Sequence, residues 1–336
     1  DEQSVRLVFE WPDQQQLLWQ LLAFLQLSQL HVHHVIGWPV GFWEDFIQRE
    51  LIFDLTLHDH CIFSSLQRNQ LQDPNLQSWL KKVQRCFSGS LYDGRVLQQL
   101  LEPARRVLLP SQNLQESLLA CLPNAGRSHL LVHAHPEAEL PSAWQQPFLR
   151  PLTSNEPMRV LCLGMLSVEK GAQVLAQVAR EAVRMQAPLE FHLLGSCHVN
   201  LPGEIVRHGS YLDAEVPELF EQIAPHILWL PAQCPETWSY TLSAGLRAGL
   251  PVVATRLGVF VERLHQRPLS WLCDTDYSVS RWIGLLLEVR AAHLQDSVHV
   301  SNWRFRPAAG FYSVSGGYLL EDAATGLPEK ADLPDS

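Results

Sequence analysis

The chain has 336 residues, enough for about two domains. Its composition, 46% hydrophobic and 18% charged, is typical of a protein with a buried core and excludes a disordered chain. The net charge is −10, and no basic run is longer than Lys81-Lys82 or Arg105-Arg106, which disfavours a nucleic-acid-binding face. The longest apolar stretch, Leu17–Leu30, is interrupted by glutamines, so the sequence predicts no membrane-spanning helix.

The first half of the chain predicts alternating strands and helices. Strands are expected at Val5–Glu10, Leu30–Ile36, Ile52–Leu57, Arg106–Leu109 and His129–His133. Helices are expected at Gln14–Leu27, Trp43–Leu51, Val96–Leu101 and Asn113–Leu122. The polar stretch 64–92 is predicted to be irregular. Residues 136–157 are rich in proline, which predicts a linker because proline removes a backbone donor and disfavours helix before it.

The second half alternates more regularly. Strands are expected at Arg159–Leu163, Leu189–Leu194, Ile205–His208, His226–Leu230, Pro251–Thr255 and Leu269–Leu272. Helices are expected after Gly164 and at Glu215–Ile223, Tyr240–Ala248 and Val279–Leu294. Several strands are apolar on both faces, which favours parallel sheets covered by helices. Ligands of such sheets bind beyond the carboxyl ends of the strands, so the residues that follow each strand are the candidate site.

Two of these segments have the composition of an anion site. Gly164–Gly171 opens a helix with Lys170 in its first turn, where an anionic ligand would neutralise the lysine, although a solvated surface lysine explains it equally well. Pro235–Thr255 places Ser239, Tyr240 and Thr241 at the start of a helix, with amides free to bind phosphate. Glu236 precedes them. An N-capped structural helix remains the alternative.

The segment Pro235–Thr255 resembles the signature P-E-x-F-x-x-x-x-x-E-A-x-x-x-G-x-P-V-V-A of retaining GT-B glycosyltransferases of family 4. The similarity is closest to bacterial enzymes of O-antigen and rhamnan-type surface polysaccharides. It extends through His208–Leu212, Pro225–Pro231 and Gly258–Arg263. In the first half, weaker similarity lies at His31–His34, Asp54–Asp59, Leu108–Ser111 and Val132–Pro136.

The resemblance implies roles for individual residues. Glu236 would contact the hydroxyls of the donor sugar, Lys170 would neutralise the donor diphosphate, and His58 would lie over the sugar–phosphate bond. Together these three are the expected catalytic residues. The positions expected to bind the nucleotide sugar are Gly164, Gly195, Tyr211, Pro231, Thr237, Ser239, Tyr240 and Thr241.

Three features depart from the family pattern. Ala244 replaces the second glutamate of E-x7-E, which holds the ribose in the family, and Met165 replaces the arginine of R-x4-K. Trp11-Pro12-Asp13 stands where the family has a glycine-rich loop. The alternative is therefore a catalytically degenerate GT-B module that serves as a scaffold. A sugar-nucleotide epimerase of the same architecture would need further acid–base carboxylates, which the sequence does not indicate.

We expect an α/β fold of two Rossmann-like domains (GT-B) that face each other across a cleft. The expected domains are residues 1–150 on the acceptor side and 151–300 on the nucleotide-sugar side. Residues 301–336, including Asn302–Leu319, would pack back on the first domain and end in a disordered tail. The implied function is transfer of a hexosyl or deoxyhexosyl group from a nucleotide-diphosphate sugar to a glycan or lipid-linked acceptor.

No cofactor or metal is expected. His31 and His33 alternate on a strand-like segment without thiols at zinc spacing, which disfavours a metal site. The implied location is cytoplasmic, including the inner face of the membrane. A membrane surface and other domains of a larger chain are left open as partners. The sequence begins at Asp1 with a strand-like pattern and shows no signal peptide, which is compatible with an excised module.

Overall fold

In the computed structural model of this chain, each described strand pairs in parallel with its neighbours. The structure describes residues 8–27, 30–35, 37–86, 94–123, 129–137 and 147–295. It divides into an N-terminal unit, residues 1–110 and 114–132, and a C-terminal unit, residues 111–113 and 133–336. The main boundary between these two compact units lies between Val132 and His133. The expected domain limits at residues 150 and 300 remain predictions.

The N-terminal unit contains a parallel sheet in the order β1-β2-β3-β4. Its strands are β1 (Leu30–Val32), β2 (Phe53–Thr56), β3 (Arg106–Leu109) and β4 (Leu130–Val132). Its helices are α1 (Gln15–Phe24), α2 (Val40–Gln48), α3 (Pro74–Cys86), α4 (Gly94–Leu101) and α5 (Gln112–Cys121). Strand β2 is buried along its whole length, because helices cover both faces of the sheet.

Two expectations for the N-terminal unit are wrong in part. Residues 8–10 form no strand, and residues 5–7 lie outside the described residues. The stretch predicted to be irregular contains the 13-residue helix α3. Its apolar residues Leu76, Trp79, Leu80 and Val83 form one narrow stripe at helical spacing, which the surrounding polar residues conceal.

The C-terminal unit contains six parallel strands in the order β10-β9-β8-β5-β6-β7. The strands are β5 (Met158–Leu163), β6 (Leu189–Leu194), β7 (Ile205–Gly209), β8 (Ile227–Leu230), β9 (Val252–Thr255) and β10 (Ser270–Cys273). The helices are α6 (Ala172–Arg184), α7 (Val216–Ile223), α8 (Tyr240–Arg247), α9 (Val259–Arg263) and α10 (Val279–Leu294). Every strand predicted in this half is present, and the expected α/β fold of two Rossmann-like domains is confirmed.

The strand order of the C-terminal sheet reverses between β5 and β8. Strand β5 pairs with β6 on one side and with β8 on the other. The chain therefore leaves the two central strands in opposite directions, which opens a crevice at their carboxyl ends. This reversal is where open parallel sheets bind ligands.

None of the described helices is long and apolar enough to cross a membrane. The segment Asn302–Leu319, expected to pack on the first domain, lies outside the described residues.

We expect Leu80→Ala to lower the free energy of unfolding of the N-terminal unit by about 2–5 kcal/mol, because Leu80 on α3 is fully buried. Leu76→Ala, on the exposed side of the same stripe, should cost less, since Leu76 is only partly buried. Urea titration of both variants, followed by circular dichroism, measures the difference. Equal costs would show that α3 does not pack on the core through Leu80.

Candidate functional site

The loops that follow β5 and β8 are held together at the reversal of the C-terminal sheet. The carbonyl of Glu169 accepts hydrogen bonds from the backbone amides of Gln233 and Cys234, at 2.7 and 3.3 Å. Gly171 lies so close to the carbonyl of Pro231 that a Cβ atom would collide with it. The two loops can therefore occupy neighbouring space only with glycine at position 171.

This arrangement brings Lys170 and Glu236 together. Lys170 Nζ lies 3.7 Å from Glu236 Oε1, and the lysine side chain is about half-exposed while the glutamate is more buried. The backbone of Glu236 is fixed from the other side, because its carbonyl accepts a hydrogen bond from Val259 N at 3.0 Å. Two of the residues expected to be catalytic thus form one ion pair, with the lysine ammonium accessible to a ligand.

Helix α8 begins beside this pair. Its N-cap residue Ser239 has a left-handed backbone (φ 73°), and its Oγ accepts a hydrogen bond from Leu242 N at 3.4 Å. The amides of Tyr240 and Thr241 begin the helix, where backbone N–H groups have no acceptor within the helix. With the positive end of the helix dipole, these amides form a place where an anion binds favourably.

Other expected binding residues pack together at the end of β5. Gly164 has a left-handed backbone (φ 98°), and a Cβ atom there would lie 2.7 Å from Thr241 Cγ2 and 3.9 Å from Tyr211 Oη. A Cβ atom on Gly195 would collide with the carbonyl of Gly164. Glycine at these strand ends lets the side chains of Thr241 and Tyr211 approach the sheet. Burial raises the pKa of Tyr211, which keeps its hydroxyl protonated.

The remaining expected residues lie on the loop after β8. Pro231 is buried, and its carbonyl also accepts a hydrogen bond from Gln233 Nε2 at 3.0 Å. Thr237 is buried between Glu236 and the start of α8. Met165, which the resemblance aligns with the arginine of R-x4-K, is exposed after β5.

A cavity of about 330 Å³ extends along α8 from Tyr240. Thr241, Ala244, Arg247 and Ala248 line it from the helix, and Tyr211 lines it at the end nearest the strand ends. Successive residues of a helix rise by about 1.5 Å, so Ala244 lies roughly 6 Å along the axis from Tyr240.

A buried ionic cluster lies beneath the start of α8, and sequence reasoning missed it. Arg263 contacts Glu137 and bonds to the backbone carbonyls of Trp238 and Ser239. Arg263 is the last residue of the segment Gly258–Arg263, which belongs to the region of family resemblance. That resemblance could have indicated a role for Arg263. Glu137 lies in the proline-rich stretch, more than a hundred residues away in sequence. Nothing in the sequence around Glu137 indicated that it belongs to this cluster.

His58 belongs to the N-terminal unit, where it follows β2 and lies in a cluster of imidazoles. Its Nε2 is 3.1 Å from Nδ1 of His33, and its ring stacks on that of His34. His31 stacks on His33 and its Nε2 lies 2.7 Å from Thr56 Oγ1. Burial, together with the neighbouring imidazoles, lowers the pKa of His58 to about 4 and that of His31 to about 4.

Within the residues that the structure describes, no group of three or more histidine, cysteine or acidic side chains is arranged to hold a metal ion.

The comparisons with known proteins identify the fold. No protein-family model and no curated protein sequence matches the chain. Among solved structures, it is similar to sucrose-phosphate synthase from Thermosynechococcus elongatus, with 15% identity and a TM-score of 0.56 over 87% of this chain and 73% of that one. It is also similar to a glycosyltransferase from Rickettsia africae, with 12% identity and a TM-score of 0.53 over 87% of this chain and 77% of that one.

A third similar structure is HepE from Anabaena, solved in complex with UDP-glucose. It is 15% identical, with a TM-score of 0.53 over 87% of this chain and 81% of that one. At these identities the comparisons show a shared fold, that of the GT-B glycosyltransferases.

Acid should destabilise the N-terminal unit through its histidine cluster. The pKa of His58 and that of His31 are about 4 in the folded chain, against 6.5 ordinarily, so the unfolded state binds more protons between these values. This contribution to stability is fully present above pH 6.5 and is lost as the pH falls towards 4. Thermal unfolding at several pH values within this range measures the loss.

The double variant His31→Gln/His58→Gln should lose less stability over the same pH interval. His265→Gln, which removes an exposed histidine of the C-terminal unit, is the matched control and should behave as the original chain. An unchanged pH dependence in the double variant would contradict the prediction.

Proposed function

We propose that the protein is a retaining glycosyltransferase that moves a hexosyl or deoxyhexosyl group from a nucleotide-diphosphate sugar to a glycan or lipid-linked acceptor. The observation that carries the proposal is the Lys170–Glu236 pair beside the N-terminus of α8, at the reversal of the C-terminal sheet. A cation and helix amides, which bind a diphosphate, thus lie beside a carboxylate, which can accept hydrogen bonds from the hydroxyls of an attached sugar. The complex of HepE with UDP-glucose shows that a protein of this fold binds such a donor.

In this proposal the departing diphosphate carries the developing negative charge of the reaction. Lys170 and the amides of Tyr240 and Thr241 stabilise that charge in the transition state. Glu236 accepts hydrogen bonds from the donor sugar and orients it. His58 is proposed to contact the sugar, and its lowered pKa keeps the imidazole neutral at pH 7.

The cavity along α8 is proposed to hold the nucleoside. Tyr211 and Tyr240 supply aromatic surface near the phosphates, and Ala244 lies at the level of the ribose. Gly164, Gly195, Pro231, Thr237 and Ser239 shape the walls and loops of this donor site. The wider role proposed is in surface-polysaccharide synthesis, at the cytoplasmic side of the membrane and in company with other domains of a larger chain.

A panel of nucleoside diphosphates and their sugar conjugates, measured by thermal shift and calorimetric titration, tests the proposal. We expect at least one nucleotide sugar to stabilise the chain and to bind more tightly than its free nucleotide, because Glu236 adds contacts to the sugar. If no nucleotide binds, the chain is a scaffold that keeps the fold without the donor site.

Lys170→Met should weaken binding of a nucleoside diphosphate about ten- to a hundredfold, because one charge-assisted contact to phosphate is worth roughly 1.5–3 kcal/mol. Glu236→Gln should not weaken binding of the free diphosphate, because it removes a negative charge beside Lys170. It should weaken binding of the nucleotide sugar, because the carboxylate is proposed to contact the hydroxyls of the sugar. Calorimetric titration of both ligands separates these two effects.

Lys81→Met, which removes an exposed lysine of the N-terminal unit, is the control and should leave both affinities unchanged. A loss of diphosphate binding in Lys81→Met as large as that in Lys170→Met would show a general charge effect rather than a site.

Ala244→Glu should tighten binding of a ribonucleoside diphosphate by about ten- to a hundredfold. Ala244 lines the cavity, and a glutamate there would accept hydrogen bonds from two ribose hydroxyls, worth roughly 1.5–3 kcal/mol. Titration of UDP and of its 2′-deoxy analogue into both forms measures the gain, which should be largest for UDP. Equal affinity of the two forms for UDP would show that residue 244 does not face the ribose.

A further inference from the structure

The guanidinium of Arg263 holds the strained turn that begins α8. Its Nη1 donates to the carbonyl oxygens of Trp238 and Ser239, at 2.8 and 3.0 Å, and its Nη2 donates to Ser243 Oγ at 2.8 Å. The guanidinium also stacks over the indole of Trp238, with 4.0 Å between Cζ and the ring centroid. Only 7% of the Arg263 side chain is exposed.

Glu137 completes this cluster from a separate stretch of the chain. Its Oε1 lies 3.4 Å from Arg263 Nη2 and accepts hydrogen bonds from Trp238 Nε1, at 3.1 Å, and from Ser243 Oγ. The Glu137 side chain is fully buried. Trp238 and Ser243, which flank the first turn of α8, are thus tied to one carboxylate and one guanidinium.

The contacts act on the backbone that directs the amides of α8. Ser239 keeps a left-handed conformation (φ 73°), which is unfavourable for a residue other than glycine. The Arg263 guanidinium bonds to the carbonyl of Ser239 itself and to the one before it. Without these bonds the turn can relax, and the N–H groups of Tyr240 and Thr241 change direction.

We propose that Arg263, anchored by Glu137, is a positioning residue that aims the first amides of α8 at the donor diphosphate. The proposal rests on the function proposed above for α8, and it assigns a role to side chains that are buried and do not touch the ligand themselves. An anion site made of amides is effective only when the amides are oriented before the ligand arrives, since reorienting them on binding consumes part of the binding energy.

A matched pair of variants separates positioning from general stability. Arg263→Met removes the guanidinium at α8. Arg290→Met removes another buried guanidinium of the same unit, whose Nη2 donates to the carbonyls of Ser154 and Glu156 at 2.8 and 2.7 Å, outside the cavity along α8. Both variants lose a buried arginine bonded to backbone, so both are expected to lower the unfolding temperature.

Only Arg263→Met should also change the phosphate site. We expect it to weaken UDP binding about tenfold or more, because small displacements of aligned groups have large effects. Amide hydrogen exchange of residues 236–242 should become faster in Arg263→Met and stay unchanged in Arg290→Met. Arg263→Lys keeps the charge but lacks the planar guanidinium, so it should show an intermediate loss of UDP binding. This variant replaces Arg263→Met in the test if Arg263→Met does not fold.

The two readouts distinguish the possible failures. If the full chain binds UDP and Arg263→Met and Arg290→Met weaken it equally, the positioning role is wrong and the proposed function stands. If exchange at residues 236–242 rises only in Arg263→Met but no form binds a nucleotide, the contact holds the turn and the proposed donor site is wrong. Unchanged exchange in both Arg263 variants would overturn the inference by itself.

Discussion

The close approach of two backbone loops at the reversal of the C-terminal sheet is the constraint on which the candidate site depends. Strands β5 and β8 are neighbours in space, although α6, β6, β7 and α7 lie between them in the chain. Gly171 packs against the carbonyl of Pro231, and the amides of Gln233 and Cys234 bond to the carbonyl of Glu169. Any side chain at position 171 would separate the loops and with them Lys170 and Glu236.

Local geometry, rather than net charge, makes this region suitable for an anion. The chain carries a formal charge of −10, so long-range attraction does not favour a phosphate. The N-terminus of α8 and the ammonium of Lys170 supply a small positive region, in which Glu236 balances the lysine when no ligand is present. This is the region where we propose that a ligand with both an anionic group and hydroxyls near it binds.

The ionic cluster beneath α8 shows how a buried charge is stabilised. Burial lowers the pKa of Arg263 to about 10, which still leaves the guanidinium protonated at neutral pH. Removing a charge from water is costly, and the cost is offset only when the group has well-placed partners. Arg263 has backbone carbonyls, the Ser243 hydroxyl, the Trp238 ring and the Glu137 carboxylate. The same bonds that satisfy the charge also hold the Ser239 turn.

The sequence by itself determined the strands, the helices that cover them and the residues at the strand ends. Continuous apolar runs such as Val160–Leu163 and Val252–Ala254 require burial on both faces, and glycines such as Gly164 mark where each run stops. These are local properties, which can be recognised in one segment of the sequence without knowing which other segments pack against it. Helix α3 was missed because its apolar stripe is narrow, so its stability depends on the core against which it packs. Tertiary structure alone decided that β5 lies beside β8, that Lys170 reaches Glu236, and that Glu137 bonds to Arg263. Each of these is a pairing between distant segments, and its energy arises only after the fold has brought the two partners together.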